Sequence, residues 1–510
     1  MARSTFPLIA PVLSGALVVL TLGPVAILLM VPGPGPALPD LEALRFTLLQ
    51  AALSALASVA LAVPVARALA RRRFPSRGAV IAALGAPFLL PAIVAVLGLL
   101  AVFGRAGWLN RTLDATGLPT IAIYGLHGVV LAHVFLNMPL AVRLILMGWQ
   151  SIPSERFRLA STLGFAPAQA FRHLELPMLR SVLPGAALVI FTICLTSFAV
   201  ALTLGGGPAA TTIELAIYQA LRFEFDLPAA ARLALLQFAL CLLAFLAASR
   251  LAIPDAFGAG FDRPGGPAAS GGLRRIGDAV AIGAACLFIA MPLASIALRG
   301  LPGLATLPRE VWIAALRSVS MALPVAALTT CAALTLALAH AQGRAFAALA
   351  ATLPLAASSL VMGTGLFILL RTVVSPMTMA LPVTMLVNSM LALPFAFRIL
   401  APETQKLQAD YGRLVAALGL GPVARLRWLV LPRLARPLGF AAGLSAALAM
   451  GDLGVIALFA GDGGATLPLM VQRLMGAYRM DQAAAAALVL VTLSFTLFWA
   501  FDATGRHVAA

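Results

Sequence analysis

The sequence predicts an all-α membrane protein in which twelve transmembrane helices form two parallel repeats of six. Three observations support this fold class: an apolar composition, continuous apolar runs along the whole chain, and an internal repeat. Hydrophobic residues make up 62% of the 510 residues and charged residues only 10%, whereas an ordinary soluble domain carries roughly 45–50% apolar and about 25% charged residues. A large soluble domain is therefore excluded.

The apolar runs are each long enough to cross a bilayer, since a helix needs roughly 20 residues to span about 30 Å of hydrocarbon. They are continuous blocks of Ala, Leu and Val without the alternation of a membrane β-barrel. The predicted crossings are 9–31, 47–70, 79–104, 122–148, 183–204 and 229–252, then 276–299, 315–340, 345–370, 376–400, 434–460 and 484–504. An even number of crossings places both termini on one side of the membrane.

The net charge of +17 reflects membrane topology rather than nucleic-acid binding. Lys and Arg concentrate in loops that are cytoplasmic if the N-terminus is cytoplasmic, as in the stretch RRRFPSR at 71–77. This is the positive-inside bias that orients membrane proteins. We therefore expect no nucleic-acid partner, and a multi-pass protein of the bacterial inner membrane with both termini in the cytoplasm.

An internal repeat relates the two halves of the chain. Six pairs of identical residues share an offset of 255 positions: Pro139 and Pro394, Arg143 and Arg398, Arg158 and Arg413, Gly164 and Gly419, Pro167 and Pro422, Pro177 and Pro432. The repeat predicts a first half at 1–252 and a second at 276–510. A cytoplasmic linker at 253–275 joins them, where Pro, Gly, Ala and Ser accumulate. Repeats of equal orientation are related by an axis along the membrane normal.

The repeated segments are basic, cytoplasmic and helical in pattern. Leu159, Leu163, Ala166 and Ala170 give one apolar stripe in the first segment. Gly164 and Pro167 interrupt it, since Gly supplies a turn and Pro favours the first turn of a new helix. The pattern predicts a helix-turn-helix elbow outside the membrane.

The two elbows resemble the cytoplasmic signature loop of ATP-binding-cassette (ABC) importer permeases, whose pattern is EAA-x(3)-G-x(9)-I-x-L-P. The residues that fall at the family positions are Ala160, Gly164, Leu174, Leu176 and Pro177 in the first loop, and Gly419, Leu429, Leu431 and Pro432 in the second. The chain departs from the pattern at Arg158 and Arg413, which stand where the family has Glu. The resemblance implies the type I importer permease fold.

The same resemblance implies that each loop docks on an ATPase subunit, so that closure of the ATPase pair moves the attached helices. The alternative for a basic loop is binding to anionic lipid headgroups. A phosphate-binding loop needs several glycines and a lysine, and Lys406 is the only lysine and has no such glycines beside it. We therefore expect no cofactor on this chain, and ATP and Mg²⁺ on two copies of a separate ATPase.

At larger scale the chain is similar to the permeases of thiamine importers. The stretches that carry this similarity are RRRFPSRG at 71–78, YGLHGVVLAHVFLNMPLAVRLIL at 124–146, LTLGGGPAATTIELAIYQALRFEFD at 202–226 and GDLGVIALFAGDGGATLPLMVQRLMGAYRMD at 451–481. The similarity implies uptake of thiamine and its phosphate esters, delivered by a periplasmic binding protein. The alternative is a fused permease for ferric ion or another small solute.

Polar residues near the predicted outer ends of the helices are candidates for the pore or the periplasmic rim: Glu214, Tyr218, Gln219, Asp452, Tyr478 and Asp481. Acidic and aromatic side chains suit a cationic thiazolium ring, but docking of the binding protein is favoured over direct substrate contact at this rim. Asp452 is a candidate functional carboxylate or a packing group. His127, His133 and Asn137 share one predicted helix and either line the pore or join helices.

Other classes of function find little support. The four cysteines have no metal-binding spacing, and neither a metal-ligand cluster nor a nucleophile–base arrangement of an enzyme stands out. A secondary transporter would have interrupted helices around a midplane ionic site, and the sequence gives only weak signs of them.

Overall fold

The computed structural model describes residues 9–33, 38–207, 210–250, 272–461 and 464–509. These residues form helices joined by short non-helical connections and contain no β-strand. The helices of the first 250 residues are α1 (Ile9–Leu29), α2 (Leu38–Arg71), α3 (Arg77–Ala83), α4 (Ala86–Leu89), α5 (Ala92–Phe103), α6 (Trp108–Ala115), α7 (Leu126–Gln150), α8 (Ser154–Thr162), α9 (Pro167–Ala170), α10 (Leu176–Leu195), α11 (Phe198–Leu204), α12 (Ile213–Gln219) and α13 (Leu227–Ser249).

The remaining helices are α14 (Gly272–Gly303), α15 (Arg309–Ala341), α16 (Ala345–Thr352), α17 (Ser359–Leu370), α18 (Ala380–Ala417), α19 (Pro422–Arg425), α20 (Leu431–Arg433), α21 (Ala435–Met450), α22 (Gly454–Phe459), α23 (Leu467–Gly476) and α24 (Met480–Ala509). Three π-helical turns and two 3₁₀ turns complete the set: Phe171–Glu175, Ala220–Glu224, Leu426–Val430, Leu304–Thr306 and Leu353–Ala356. The predicted linker lies outside the described residues as far as 271.

The expected number of membrane crossings is confirmed. Eleven described helices are long and apolar enough to cross a bilayer, and a twelfth crossing results if one bent pair counts as a single span. That pair is α16 with its following 3₁₀ turn, joined to α17 through a bend of 88°. The chain is a multi-pass, all-α membrane protein.

Four predicted crossings are wrong as uninterrupted helices: 79–104, 183–204, 345–370 and 434–460. The runs 183–204 and 434–460 break between α10 and α11 and between α21 and α22. The run 79–104 is divided into α3, α4 and α5, because Pro91 lacks an N–H and adopts an extended backbone before α5. The run 345–370 bends before α17, where the hydroxyl of Ser358 accepts a hydrogen bond from the N–H of Val361 at 3.1 Å. Interrupted helices, of which the sequence analysis found only weak signs, are therefore present in both halves.

The described chain packs as two compact units that do not follow the sequence halves. The first unit comprises Leu38–Thr212 and Leu243–Arg299, and the second comprises Met1–Ala37, Ile213–Leu242 and Gly300–Ala510. The initial helix of each half therefore packs with the other half: α1 belongs to the second unit and α14 to the first. The predicted division of the chain into halves at 1–252 and 276–510 remains a prediction.

Each unit is built around an equivalent group of three long helices. In the first unit α2 packs on α7 and α10, and in the second α15 packs on α18 and α21. The exchanged helices α14 and α1 also contact equivalent helices, α5 in the first unit and α17 in the second. A Cβ on Gly98 in α5 would lie 2.9 Å from the carbonyl oxygen of Pro292 in α14, and a Cβ on Gly365 in α17 would lie 2.5 Å from that of Pro24 in α1. Glycine at both positions lets two helix backbones approach closely.

Candidate docking loops and a buried acidic pair

The two elbows have the geometry that the sequence predicts. Gly164 ends α8 with φ of +69°, and Gly419 ends α18 with φ of +60°. The backbone N–H after each glycine donates to the carbonyl five residues earlier, from Phe165 to Ala160 at 2.9 Å and from Leu420 to Val415 at 3.2 Å. This is the Schellman arrangement, in which a left-handed residue closes a helix. Each elbow continues into a short helix that begins at Pro167 or Pro422.

Both elbows expose apolar side chains at the same repeat positions. Leu159 and Leu163 are 60% and 62% exposed, and their counterparts Leu414 and Leu418 are 52% and 62% exposed. The predicted apolar stripe of the first elbow therefore faces outward rather than into the bundle. Exposed apolar residues in two equivalent places indicate a surface for contact with another molecule.

The remaining loop candidates are distributed between surface and interior. Leu174, Leu176 and Leu429 are half-buried, Ala160 is buried, and Gly164, Pro177, Gly419, Leu431 and Pro432 are exposed. A π-helical turn precedes the Leu-Pro pair in each loop, at Phe171–Glu175 and at Leu426–Val430. Sequence reasoning missed both π turns, although such turns are frequent at functional sites.

Arginine at the position of the family glutamate points away from the core. Arg158 is exposed and donates to the carboxylate of Glu155 at 2.8 Å within its own helix. The backbone N–H of Glu155 and the hydroxyl of Ser154 hold the pKa of this carboxyl below its usual range. Arg413 is likewise exposed. Both arginines are available to a partner that presents negative charge.

The loops differ in how they attach to their own units. In the first unit the carboxylate of Glu175 accepts from Arg67 at 2.7 Å and from Arg71 at 2.5 Å, both on α2. Val430 holds the equivalent position in the second loop, 255 residues later, and packs with Leu334 and Leu338 on α15. An ion-paired attachment in one unit is therefore replaced by an apolar one in the other.

A cavity of about 600 Å³ lies beside the second elbow. Its wall includes Leu338, Gly419, Pro422 and Arg425. The guanidinium of Arg425 donates to the side chain of Gln408 at 2.7 Å, and partial burial lowers the pKa of Arg425.

The outer candidate residues do not gather in one place. Tyr218 and Gln219 are half-buried on α12, whereas Tyr478 is 88% exposed in a turn with φ of +59° and Asp481 is exposed at the start of α24. Two arginines that the sequence analysis did not single out contact the end of α22. Arg222 donates to the carbonyl of Ala460 at 3.2 Å and Arg473 to that of Gly461 at 3.0 Å. Positive charge at this helix C-terminus is stabilising.

Glu214 differs from the other outer candidates because it is fully buried. It lies on α12 with no exposed surface, and the side chains of Ser358 and Gln237 face its carboxyl group. Neither carboxyl oxygen has a hydrogen bond of regular geometry. Among the described residues, no cationic side chain forms an ion pair with it.

Asp452 lies in the break between α21 and α22. The backbone N–H groups of Gly454, Val455 and Ile456 point at its carboxyl group, and Asn388 on α18 faces it. Its Oδ2 atom and the Nδ2 atom of Asn388 are buried without a hydrogen bond. Asp452 therefore lies one residue before Leu453, which is the N-cap of α22, and one of its oxygens makes no hydrogen bond.

His133 and Asn137 on α7 contact neighbouring helices. His133 is 2% exposed with Nδ1 3.1 Å from the hydroxyl of Ser54 on α2. Asn137 is 4% exposed and donates to the sulfur of Cys194 on α10 at 3.5 Å. Both residues join helices of the first unit, which matches the helix-joining alternative. The described residues contain no group of three His, Cys, Asp or Glu side chains that could hold a metal ion.

Comparisons with known proteins identify the family of the chain. No protein-family model matches the chain. It is 40% identical to the thiamine transport system permease protein ThiP of Brucella abortus over 472 residues, which cover 90% of this chain and 86% of that protein. The ThiP proteins of Salmonella typhimurium and Escherichia coli are 40% and 39% identical, each over 91% of this chain and 89% of the relative. Identity at this level over nearly the full length shows that the chain belongs to the family of thiamine transport system permease proteins.

Proposed function

We propose that this chain is the channel subunit of an ABC importer that carries thiamine and its phosphate esters from periplasm to cytoplasm. The observation that carries the proposal is identity of 39–40% to thiamine transport system permeases over about nine-tenths of the chain. The twin elbows support the importer class independently, because a carrier driven by an ion gradient has no use for two docking loops. Ferric-ion transport finds no support among the described residues, which offer no metal-binding cluster.

The proposed assembly has one copy of this chain, two copies of a cytoplasmic ATPase and one periplasmic binding protein for thiamine, in the bacterial inner membrane with both termini cytoplasmic. Two elbows on one chain support two ATPase copies, one for each loop. ATP and Mg²⁺ would bind the ATPase, so that this chain itself catalyses no reaction. The mass of the purified complex measures the copy number, and one ATPase per chain would contradict the proposal.

Growth of a thiamine auxotroph tests the substrate. A strain that lacks its own thiamine permease receives this chain with its ATPase and binding protein, and a matched strain receives the two partners alone. We expect growth on limiting thiamine only with the complete set. Equal growth of the two strains would refute thiamine import by this chain.

A further inference from the structure

The second unit contains two carboxyl groups that form no ion pair among the described residues, the fully buried Glu214 and the partly buried Asp452. The first unit offers the contrast, because its buried Glu175 is neutralised by Arg67 and Arg71. Among the described residues neither Glu214 nor Asp452 forms an ion pair. A buried carboxylate without a counter-charge is strongly unfavourable, and ionisable groups inside membrane proteins usually mark a functional site.

The two carboxyl groups flank the same break in the helices. Glu214 approaches it from α12, with its carboxyl group beside the hydroxyl of Ser358. Asp452 approaches from the start of α22. The position of a Cβ on Gly454 would lie 2.5 Å from the hydroxyl of Ser359 and 3.8 Å from Oδ1 of Asp452. Glu214 therefore lies beside the first of two consecutive serines, and Asp452 lies near the second.

Unused hydrogen-bonding atoms accompany the two acids. Both oxygens of Glu214, Oδ2 of Asp452 and Nδ2 of Asn388 are buried and make no hydrogen bond. Asn388 is only 6% exposed. Fully satisfied polar groups are the rule in protein interiors, so that each exception calls for an explanation. A ligand that is bound during only part of a transport cycle would explain these unused atoms.

We infer that Glu214 and Asp452, at the Ser358–Ser359 break, bind the positive charge of the transported substrate, an organic cation. The inference rests on the proposed function, because every form of thiamine carries a quaternary thiazolium nitrogen. The thiazolium nitrogen carries no hydrogen, so its attraction is to the negative charge on the unused carboxyl oxygens rather than through a hydrogen bond. Glu214 is withdrawn from solvent in this conformation and Asp452 is partly buried, so we expect access to the site to change during the transport cycle.

The alternative role for Glu214 is packing, in which a neutral carboxyl group joins α12 to α17. Glu214→Gln separates the two roles, since glutamine keeps the shape and the hydrogen-bonding capacity but removes the charge. Glu214→Asp keeps the charge. Glu224→Gln is the matched control, because it makes the same change at an exposed residue ten positions further along the chain.

The experiment measures uptake of labelled thiamine into proteoliposomes that hold the full transporter, together with ATP hydrolysis stimulated by the loaded binding protein. For E214Q we expect a loss of uptake of about tenfold or more, with stimulated hydrolysis and thermal stability close to wild type. We expect E214D to retain more uptake than E214Q, and E224Q to match wild type.

Two results would overturn the inference while leaving the proposed function intact. Uptake by E214Q at the wild-type rate would show that the charge is not needed. Equal loss of uptake, stimulated hydrolysis and stability would show that Glu214 acts in packing. Absence of thiamine uptake by the wild-type protein would instead refute the proposed function, and the inference with it.

Discussion

The ion-paired attachment of the first docking loop makes a quantitative prediction about Glu175. Its carboxylate is 3% exposed and contacts two arginines of α2, of which Arg67 is 30% exposed and Arg71 15% exposed. Arg67 also lies over the ring of Phe171, with its guanidinium carbon 4.5 Å from the ring centroid. Glu175→Gln removes the charge and leaves both arginines without their counter-ion.

Removing one member of a fully buried ion pair costs about 3–5 kcal/mol of stability. The partly exposed arginines regain some hydration, so we expect about 2–3 kcal/mol for E175Q. A stability change of 1 kcal/mol shifts the midpoint of thermal unfolding by about 1–2 °C in a chain of this length. The expected decrease is therefore about 2–6 °C, measured at a fixed scan rate on the detergent-purified complex.

The apolar attachment of the second loop suggests a variant that should compensate for the lost ion pair of Glu175. Val430 packs there with Leu334 and Leu338, so the triple variant R67L/R71L/E175V copies an attachment that the protein already uses. Replacement of a buried ion pair by apolar residues of similar volume is often neutral or stabilising. We expect the triple variant to regain most of the stability that E175Q loses.

Two controls separate this effect from a general loss of charge. Glu155→Gln breaks the pair with Arg158, whose members are 71% and 74% exposed, and exposed pairs of this kind contribute little. Asp278→Asn breaks the half-buried pair with Arg72 at 2.7 Å, which does not involve either elbow. We expect both E175Q and D278N to lower stability, but only E175Q to raise the ATP hydrolysed per substrate molecule. Unchanged stability of E175Q, or no recovery in the triple variant, would refute the reasoning.

The remaining predictions concern glycines. Gly164→Val and Gly419→Val place a β-branched residue at positive φ, which costs about 1–2 kcal/mol, and we expect uncoupled uptake with normal membrane insertion. Asparagine tolerates this backbone conformation and serves as the control in uptake assays, where normal transport by both valine variants would contradict docking. Gly365→Ala would force α17 away from the carbonyl of Pro24, so we expect a loss of about 1–3 kcal/mol in thermal unfolding. Gly283→Ala adds a methyl group in open space, and equal stability of the two alanine variants would contradict the close packing.

Local chemistry made the elbows predictable. Gly164 and Pro167 specify a turn and a new helix through their own backbone preferences, and the second elbow repeats the same residues. Long apolar runs likewise predict crossings because the bilayer fixes their length. The bend at Ser358 was not predictable in the same way, since two serines within an apolar run also fit a continuous helix. Only the hydrogen bond to Val361 shows that the chain caps a new helix there.

Long-range partners account for what the sequence did not reveal. Glu175 pairs with residues more than 100 positions earlier, and no local pattern marks that pairing. The exchange of α1 and α14 between the units was not predictable either. The sequence of an apolar helix does not specify which helix it packs against, apart from small residues such as Gly98 and Gly365. Glu214 stood out as an acid in an apolar setting, but its burial beside Ser358 required the fold.

Reconstituted transport tests the central claim most directly. The chain, its ATPase and its binding protein are placed in proteoliposomes, and uptake of labelled thiamine is compared with uptake of ferric ion, each with and without ATP. The account predicts ATP-dependent uptake of thiamine and none of ferric ion. Uptake of ferric ion alone, or thiamine uptake that does not depend on ATP, would contradict it.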